Sequence, residues 1–370
     1  MKKILFRDVK EKIQTLGRTY ETETGELFCN WTCSGIRFCF RGSSLAVNIN
    51  AFPGTEQDRN PMDGTLTDRE VWPCIAVFLD DGEEPYQFYE LTKAAHTYLL
   101  FQGEQEECHT ITIRKLTENA KGKVCITAFL TDGEIREPEP QKTRVKLEFI
   151  GDSITCGFGN MTEDPNRLFF SGDENGWMSH AAVAARILHG DLSVISCSGI
   201  AVTEGIGKFA FPLPPMGHYY PYRDRMAEEM LGKSADFLQW DFQSEKPDVI
   251  VLNLGTNDAT VIDLNQDTEK GIAKFEEDYY AFLELLRQCN GPEPWILCTL
   301  GSMDYFLYDN IQKTAERFRE EKKDSKIRCF KYGRIRVDDG LGACRHPNQK
   351  TQLRMGEEIA DFIQALLTEK

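Results

Sequence analysis

This 370-residue sequence is short of positive charge: 43 Lys and Arg residues stand against 59 Asp and Glu residues, which gives a formal net charge of −16 at pH 7. The basic residues form no block, so neither nucleic acid nor an anionic membrane surface is an expected partner. No apolar run approaches the roughly 20 residues of a membrane-spanning helix. The first residues also lack the apolar stretch of a signal peptide, so we expect a cytoplasmic protein.

The twelve cysteines include no C-x-x-C pair, and the Cys29/Cys33 spacing has no matching His/Cys cluster. Structural zinc sites need such clusters of ligands, and disulfides persist mainly outside the cell. We therefore interpret the cysteines as reduced, mostly buried small side chains and predict no metal site. The sequence also contains no internal repeat and no low-complexity tract.

Residues 1–135 are predicted to form an all-β domain, a sandwich or jelly roll, because short alternating apolar runs are separated by turn residues. The alternation predicts one hairpin over residues 36–49 with a turn at 42–44, and a second over residues 75–91. Further strands are expected at residues 98–101, 111–116 and 124–130. The polar segment 56–70 is predicted to be a long loop.

Residues 131–144 are charged, contain prolines and show no periodicity, which is typical of a boundary. Beyond it, residues 144–370 alternate between strand and helix patterns, so we predict a doubly wound α/β domain with a mainly parallel sheet. The expected strands are 145–150, 192–197, 249–254, 295–300 and 327–332. The expected helices are 177–188, 272–286 and a closing helix around 355–366.

The first of these strands runs into VKLEFIGDSITCGFGN, residues 145–160, and delivers Ser153 to a tight glycine-flanked turn. Ligands and nucleophiles of open α/β sheets lie at the carboxyl edge of the strands. On this reading Ser153 is a nucleophile. The alternative is that Ser153 merely caps the following helix.

Three further positions lie at equivalent places and supply partners for Ser153. Gly199 follows the second strand, Asn257 follows the third, and His346 precedes the last helix. An imidazole that accepts the serine proton makes the hydroxyl a useful nucleophile. The backbone N–H groups of Ser153 and Gly199 and the Asn257 amide are the expected donors to the oxyanion. His346 would otherwise be a capping or surface histidine, and Asn257 a turn residue.

The blocks GDSI, SGI and GTND, followed by a carboxyl-terminal His-Pro, resemble the SGNH (GDSL-type) hydrolase superfamily, whose Ser, Gly, Asn and His fall on Ser153, Gly199, Asn257 and His346. FIGDSITCGFGN, ISCSGIAV and GACRHPN more narrowly resemble carbohydrate esterase family two, acetylesterases with an amino-terminal jelly roll. The resemblance implies a serine esterase that removes acetyl groups from a saccharide. It implies no metal or organic cofactor.

The sequence departs from that family at the acid of the triad. The superfamily usually carries an Asp two or three residues before the histidine, but Ala343 and Cys344 occupy those places here. Either a backbone carbonyl orients His346, giving a Ser–His dyad, or Asp338 or Asp339 reaches it from the preceding loop.

Aromatic residues in segment 203–222 are predicted either to wall a sugar pocket or to pack within a surface loop, and Trp177 and Tyr305 are further possible substrate contacts or core residues. We expect an acetylated mannan- or xylan-derived oligosaccharide as substrate. Two alternatives are an esterase, lipase or thioesterase for a non-carbohydrate ester, and an inactive carbohydrate-binding protein. The sequence leaves the oligomeric state open.

Overall fold

The protein is described by a computed structural model, which covers residues 1–59, 63–206, 209–210, 213–265 and 267–368. Its strands form a large antiparallel sheet in the amino-terminal part of the chain and a five-stranded parallel sheet in the remainder. None of the helices in the described ranges combines the length and the apolar character that crossing a membrane would require.

The strands of the antiparallel sheet are β1 (Lys2–Leu5), β2 (Gln14–Leu16), β3 (Tyr20–Glu21), β4 (Leu27–Phe28), β5 (Gly35–Arg59), β6 (Leu66–Val71), β7 (Cys74–Leu79), β8 (Gln87–Glu90), β9 (Ala95–Lys115), β10 (Gly122–Thr131) and β11 (Glu134–Arg136). A short helix, α1 (Phe6–Val9), follows β1. The predicted β-rich character of this part is confirmed, and so is the second hairpin, because β7 pairs antiparallel with β8.

The first predicted hairpin is wrong. The chain does not turn at residues 42–44 but continues through them as the single strand β5, with a register shift between Gly42 and Ser44 where it pairs with β9. A glycine-serine run can form either a β-bulge or a turn. Which of the two forms depends on the strands that pair with it, and these are distant in sequence. In the same way, β9 contains residues 98–101 and 111–115 in one strand.

The prediction of a loop at residues 56–70 is also wrong. The end of β5 pairs with β6 across this segment, whose residues 60–62 lie outside the described ranges. Arg69 bonds Asp58 across the pair at 2.6 Å, and Gln57 donates to Asp68 at 3.1 Å. Cross-strand polar pairs stabilise this ribbon without an apolar face, so apolar alternation could not reveal it.

The parallel sheet has the strand order β13-β12-β16-β17-β18. Its strands are β12 (Val145–Gly151), β13 (Gly190–Ser196), β16 (Val249–Asn253), β17 (Trp295–Leu300) and β18 (Ile327–Lys331), with a separate two-stranded ribbon of β14 (Gly205–Ile206) and β15 (Phe209–Ala210). The helices are α2 (Ser153–Cys156), α3 (His180–Ile187), α4 (Arg225–Met230), α5 (Thr256–Asn265), α6 (Thr268–Asn290), α7 (Tyr308–Lys322) and α8 (Gln349–Thr368). All five predicted parallel strands and the three predicted helices are present, within a few residues.

Helices cover both faces of this sheet, as a doubly wound fold requires. Val249 and Val251 of β16 pack in one core with α3 and α8, while Ile250 and Leu252 pack in another with α6 and α7. Burial on both sides explains why β16 is apolar at nearly every position. The strand order reverses between β12 and β16, and ligands of such sheets bind outside the strand ends at that point.

The two sheets lie in residues 2–136 and 145–331, and no described strand falls in 137–144. The division into domains 1–135 and 144–370 stays a prediction. Contacts between the two parts are buried and polar: Arg18, fully buried, bonds Glu148 of β12 at 2.8 Å. The other oxygen of Glu148 accepts the Tyr220 hydroxyl at 2.6 Å.

Arg18→Ala should lower the free energy of unfolding by about 3–5 kcal/mol, because it leaves the buried Glu148 carboxylate without its cation. Chemical denaturation followed by circular dichroism measures the change. Arg136→Ala is the matched control, since its ion pair with Glu134 is exposed to solvent on both sides, and it should change stability little. An equal, small effect of both substitutions would contradict the structural role of the buried pair.

Candidate active site

Ser153 lies where β12 ends, at the carboxyl edge of the parallel sheet. β12 stops at Gly151, Asp152 caps α2 by accepting the Ile154 N–H at 3.0 Å, and Ser153 is the first helical residue. A Cβ on Gly151 would lie 2.0 Å from the Thr155 hydroxyl oxygen, so only glycine allows this sharp turn. The Ser153 side chain nevertheless retains some exposure, at 9 % for the residue.

The structure brings His346 to Ser153, although the two are 193 positions apart. The His346 Nε2 atom lies 2.9 Å from the Ser153 Oγ atom, which is the distance at which an imidazole can accept the hydroxyl proton. The Phe158 ring packs 4.5 Å from the imidazole, centroid to centroid. Burial lowers the pKa of His346 below its ordinary value, so the ring is neutral and able to act as a base at neutral pH.

Backbone carbonyls orient the histidine. The His346 Nδ1 atom lies 3.2 Å from the Ala343 oxygen and 3.2 Å from the Cys344 oxygen. In the described part of the chain no carboxylate bonds the ring: Asp338 is exposed, and Asp339 pairs with Arg354 at 3.2 Å. Of the arrangements that the sequence left open, the structure therefore contains the Ser–His dyad.

The two carbonyls reach Nδ1 because the turn before His346 has an unusual backbone. Cys344 and Arg345 have φ values of 50° and 63°, a region that non-glycine residues rarely adopt. The turn is held from outside: the Ala343 N–H donates to Gly159 at 3.0 Å and the Cys344 N–H to Arg167 at 3.2 Å. Surrounding hydrogen bonds are what allow such strained conformations to persist.

Gly199 and Asn257 both lie at the same edge of the sheet as Ser153. Gly199 has a φ of 77°, and within the described ranges its N–H has no protein acceptor. The Ser153 N–H begins a helix, where an intrahelical acceptor is lacking. The Asn257 Nδ2 atom donates to Ile200 at 2.8 Å and lies 3.5 Å from Asp152, so its second hydrogen makes at most a weak bond. The two backbone N–H groups and the second Asn257 hydrogen thus lack a strong acceptor in the described part of the chain, and their role as oxyanion donors stays a prediction.

Two buried carboxyl groups connect these loops. Asp258 accepts the N–H groups of Val202 and Thr203 at 3.2 and 3.0 Å, which joins the first turn of α5 to the loop after Gly199. Burial raises the pKa of Asp258 to about 6. Burial, with a smaller contribution from Asp258, raises the pKa of Asp152 to about 7. The sequence suggested only a turn or a helix cap for Asp258, since its acceptor role depends on another loop.

Trp177 and Tyr305 are occupied with other partners. The guanidinium carbons of Arg114 and Arg186 lie 4.9 and 4.5 Å from the centre of the Trp177 ring, and the indole nitrogen donates to the Glu83 carbonyl at 2.8 Å. The Tyr305 hydroxyl donates to the Tyr332 carbonyl at 2.9 Å. The structure shows neither side chain in contact with Ser153 or His346, so their role in substrate binding stays a prediction.

The prediction that aromatic residues of segment 203–222 form a pocket wall is wrong for two of them and untested for others. Tyr219 and Tyr220 are buried in the core, at 3 % and 0 % exposure, which excludes them from a pocket wall. Phe211 lies outside the described residues, and for Phe209 only the backbone is described.

An aromatic cluster that the sequence did not predict lies beside His346. Phe158, which touches the imidazole, stacks on Phe169 at 4.6 Å, and Arg69 of β6 donates to the Phe169 carbonyl at 2.6 Å. The exposed Phe170 ring lies 4.8 Å from the Arg69 guanidinium carbon. The amino-terminal sheet therefore extends to the edge of the site. Nothing in the spacing of these residues could have indicated it, because the contact joins two distant segments.

Two family models match the chain. One, described as "Carbohydrate esterase 2 N-terminal", matches residues 15–140, and the other, "GDSL-like Lipase/Acylhydrolase family", matches residues 149–352, more than half of the chain. The chain belongs to the GDSL-like lipase/acylhydrolase family. The resemblance drawn from the sequence blocks is thereby confirmed.

Curated relatives carry esterase names. The "Cellulase/esterase CelE" of Acetivibrio thermocellus is 29 % identical over 342 residues, which cover 90 % of this chain but 37 % of that protein. An "Acetylxylan esterase / glucomannan deacetylase" of Cellvibrio japonicus is 27 % identical over 57 % of this chain and 58 % of its own length. The chain thus spans less than two thirds of these two relatives. A second Cellvibrio japonicus protein of that name is 24 % identical over 96 % of this chain and 89 % of its length.

Solved structures share the whole architecture. A family two carbohydrate esterase from Clostridium thermocellum, solved in complex with cellohexaose, has a TM-score of 0.79 at 25 % identity, covering 96 % of this chain and 99 % of that one. The acetyl xylan esterase Est2A from Butyrivibrio proteoclasticus has a TM-score of 0.80 at 22 % identity, over 99 % and 98 % of the two chains. The latter likeness shows the fold alone.

Replacing Asp338 or Asp339 with Ala should change the esterase turnover by no more than a few-fold, because carbonyl oxygens and not these carboxylates hold the Nδ1 atom. Initial rates with 4-nitrophenyl acetate measure the effect. A loss of several orders of magnitude from either variant, as expected when a triad acid is removed, would show that a carboxylate orients His346.

Gly159→Ala should reduce turnover about 10²-fold, since small misplacements of a catalytic group can have effects of that size. Gly159 has a φ of 63°, and a Cβ there would lie 2.6 Å from the Ala343 Cβ, pressing on the turn that orients His346. Gly172→Ala is the control, because nothing lies within 4 Å of its Cβ position. Similar rates for the two variants would contradict the steric argument.

Proposed function

We propose that this protein is a serine esterase that removes O-acetyl groups from acetylated oligosaccharides derived from mannan or xylan. The observation that supports the chemistry best is the 2.9 Å contact between Ser153 Oγ and His346 Nε2. At the same sheet edge, the Gly199 N–H has no acceptor in the described ranges, and one hydrogen of the Asn257 amide is at most weakly bonded. The choice of saccharide is supported by the names of the relatives.

The geometry suits an acetyl-enzyme mechanism. His346 accepts the Ser153 proton as Oγ attacks the ester carbonyl, and the negative oxygen that forms is stabilised by the N–H groups of Ser153 and Gly199 and by the Asn257 amide. The imidazolium then protonates the departing sugar hydroxyl. Water, deprotonated by the same imidazole, hydrolyses the acetyl-serine and restores the enzyme.

Mass spectrometry of a panel of acetylated manno- and xylo-oligosaccharides, after incubation with the protein, tests this proposal. We expect losses of 42 Da per acetyl group with the wild type, and a rate at least about 10⁴-fold lower with Ser153→Ala. Ser153→Ala removes only the hydroxyl, so a thermal unfolding scan serves to check that the variant folds.

Two results would contradict the proposal. Hydrolysis of 4-nitrophenyl acetate without deacetylation of any saccharide would favour an esterase or thioesterase for another substrate. Binding of oligosaccharides without hydrolysis of either substrate would favour a carbohydrate-binding protein.

We also propose that the amino-terminal sheet is a jelly roll and that deacetylation takes place in the cytoplasm. The long strands β5 and β9 pair with each other through register shifts, and such bends let one strand serve both layers of a sandwich. All twelve cysteines are free thiols, which suits a reducing compartment. Fractionation of the producing cells tests the location: activity confined to the medium would contradict it.

A further inference from the structure

Glu118 belongs to the amino-terminal part of the chain, just beyond β9, yet its carboxylate reaches the catalytic edge of the parallel sheet. The side chain is fully buried. Its Oε2 atom accepts the backbone N–H of Ser198, the residue before Gly199. The same oxygen lies 3.5 Å from the Sγ atom of Cys156, the last residue of the helix that Ser153 begins.

One carboxylate oxygen therefore contacts both segments that supply backbone donors to the oxyanion. The Gly199 N–H belongs to the peptide unit that joins Ser198 to Gly199, and Glu118 holds the unit directly before it, which joins Cys197 to Ser198. Neighbouring bonds fix this loop at its ends, where the Cys197 N–H donates to Gly151 and the Ile200 N–H to Cys197, both at 3.3 Å. Two stronger bonds also hold the loop: the charge-assisted bond from Ser198 to Glu118, and the 2.8 Å bond from the Asn257 amide to the Ile200 carbonyl.

The backbone around Glu118 is itself anchored. The buried Lys115 ammonium donates to the carbonyl oxygens of Thr117 and Glu118 at 2.7 and 2.6 Å. Lys121 lies 3.9 Å from the other carboxylate oxygen of Glu118, Oε1. Cations within this cluster thus compensate the buried carboxylate, which is the condition under which such a charge is tolerated.

Glu174 is a second buried acidic residue beside Glu118. Potential ligand atoms of Glu118, Cys156 and Glu174 lie within 4.8 Å of one another, and within the described ranges neither oxygen of Glu174 has a hydrogen-bond partner. Burial, and next the charge of Glu118, raises the pKa of Glu174 well above its ordinary value. Because burial and the charge of Glu118 outweigh the opposing effect of Lys115 and Lys121, we interpret Glu174 as a neutral acid beside the Glu118 carboxylate.

We propose that Glu118 is a positioning residue for the oxyanion hole: by accepting the Ser198 N–H it fixes the Cys197–Ser198 peptide unit, and this holds the next unit so that the Gly199 N–H points at the developing negative charge. Glu118 acts through Gly199 and touches no substrate. The proposal rests on the proposed function in one respect, namely that the reaction passes through an oxyanion. It implies that a residue of the amino-terminal part of the chain affects the rate of the chemical step.

The experiment compares Glu118→Ala with Glu118→Gln on 4-nitrophenyl acetate. Glu118→Ala removes the acceptor, and we expect kcat to fall about 10²-fold. KM should change less than about threefold, because the lost interaction operates in the transition state. Glu118→Gln retains an amide oxygen that can accept the Ser198 N–H, so kcat should recover to within about tenfold of the wild type, the difference between a charged and a neutral acceptor.

Glu174→Gln is the matched control. It lies in the same buried cluster and keeps the size of the side chain, but no hydrogen bond joins Glu174 to the Gly199 loop in the described structure. We expect its kcat to stay close to that of the wild type. All rates are expressed per active site, titrated to completion with a serine-reactive fluorophosphonate, so that misfolded protein does not count.

Three results would overturn the proposal. The first is a normal kcat per titrated site in Glu118→Ala, whatever its thermal midpoint. The second is an equal loss in Glu118→Ala and Glu118→Gln. The third is failure to fold of both Glu118→Ala and the volume-matched Glu118→Met, which would make the role of Glu118 structural.

The proposed function fails in a different way. It is contradicted when the wild type and Ser153→Ala hydrolyse 4-nitrophenyl acetate at equal rates, or when no saccharide is deacetylated. A wild type that is active on 4-nitrophenyl acetate but inactive on every saccharide leaves the comparison of the Glu118 variants valid.

Discussion

The contact between Ser153 and His346 is the constraint on which the rest of the site depends. It joins residues 193 positions apart at 2.9 Å, and neither partner could hold it alone. The serine is fixed by the end of β12 and the glycine turn at Gly151. The histidine is fixed by a strained turn whose N–H groups donate to the carbonyl oxygens of Gly159 and Arg167. The parallel sheet brings these two loops to one edge.

Orientation of the imidazole by carbonyls has an electrostatic consequence. A carboxylate would both orient the ring and stabilise the imidazolium that forms during the reaction, whereas a neutral carbonyl does the second less well. The carbonyls of Ala343 and Cys344 and the charge of Glu118 all favour the protonated ring, and they oppose the effect of burial. In this site the negative charge that acts on His346 thus comes partly from the amino-terminal part of the chain.

The amino-terminal part of the chain makes direct contacts with the segments that form the site. Arg18 neutralises Glu148 in β12, Asn119 donates to Asp224 at the start of α4, and Arg69 holds the segment that packs on His346 through Phe158. These contacts are buried or half-buried, and they join polar groups that would be costly to leave unpaired.

The sequence by itself determined the parallel strands, the three amphipathic helices and the common sheet edge at which Ser153, Gly199, Asn257 and His346 lie. These are local patterns: runs such as Val249–Asn253 are apolar because both faces are covered, and each functional residue follows a strand or precedes a helix. Only the tertiary structure decided that β5 passes through residues 42–44 without turning and that residues 56–70 form a ribbon. Both depend on pairing with distant strands, which leaves no periodic signal.

Tertiary structure alone also decided the dyad and the place of Glu118. Every residue carries a carbonyl, so the sequence could not indicate that those of Ala343 and Cys344 contact His346. The left-handed backbone of the turn brings these two carbonyls to the imidazole. Glu118 is one of many acidic residues in the chain, and its contact with Ser198 exists only because the two sheets meet there. The amino-acid sequence specifies which groups can react, and the packing of distant segments specifies where they point.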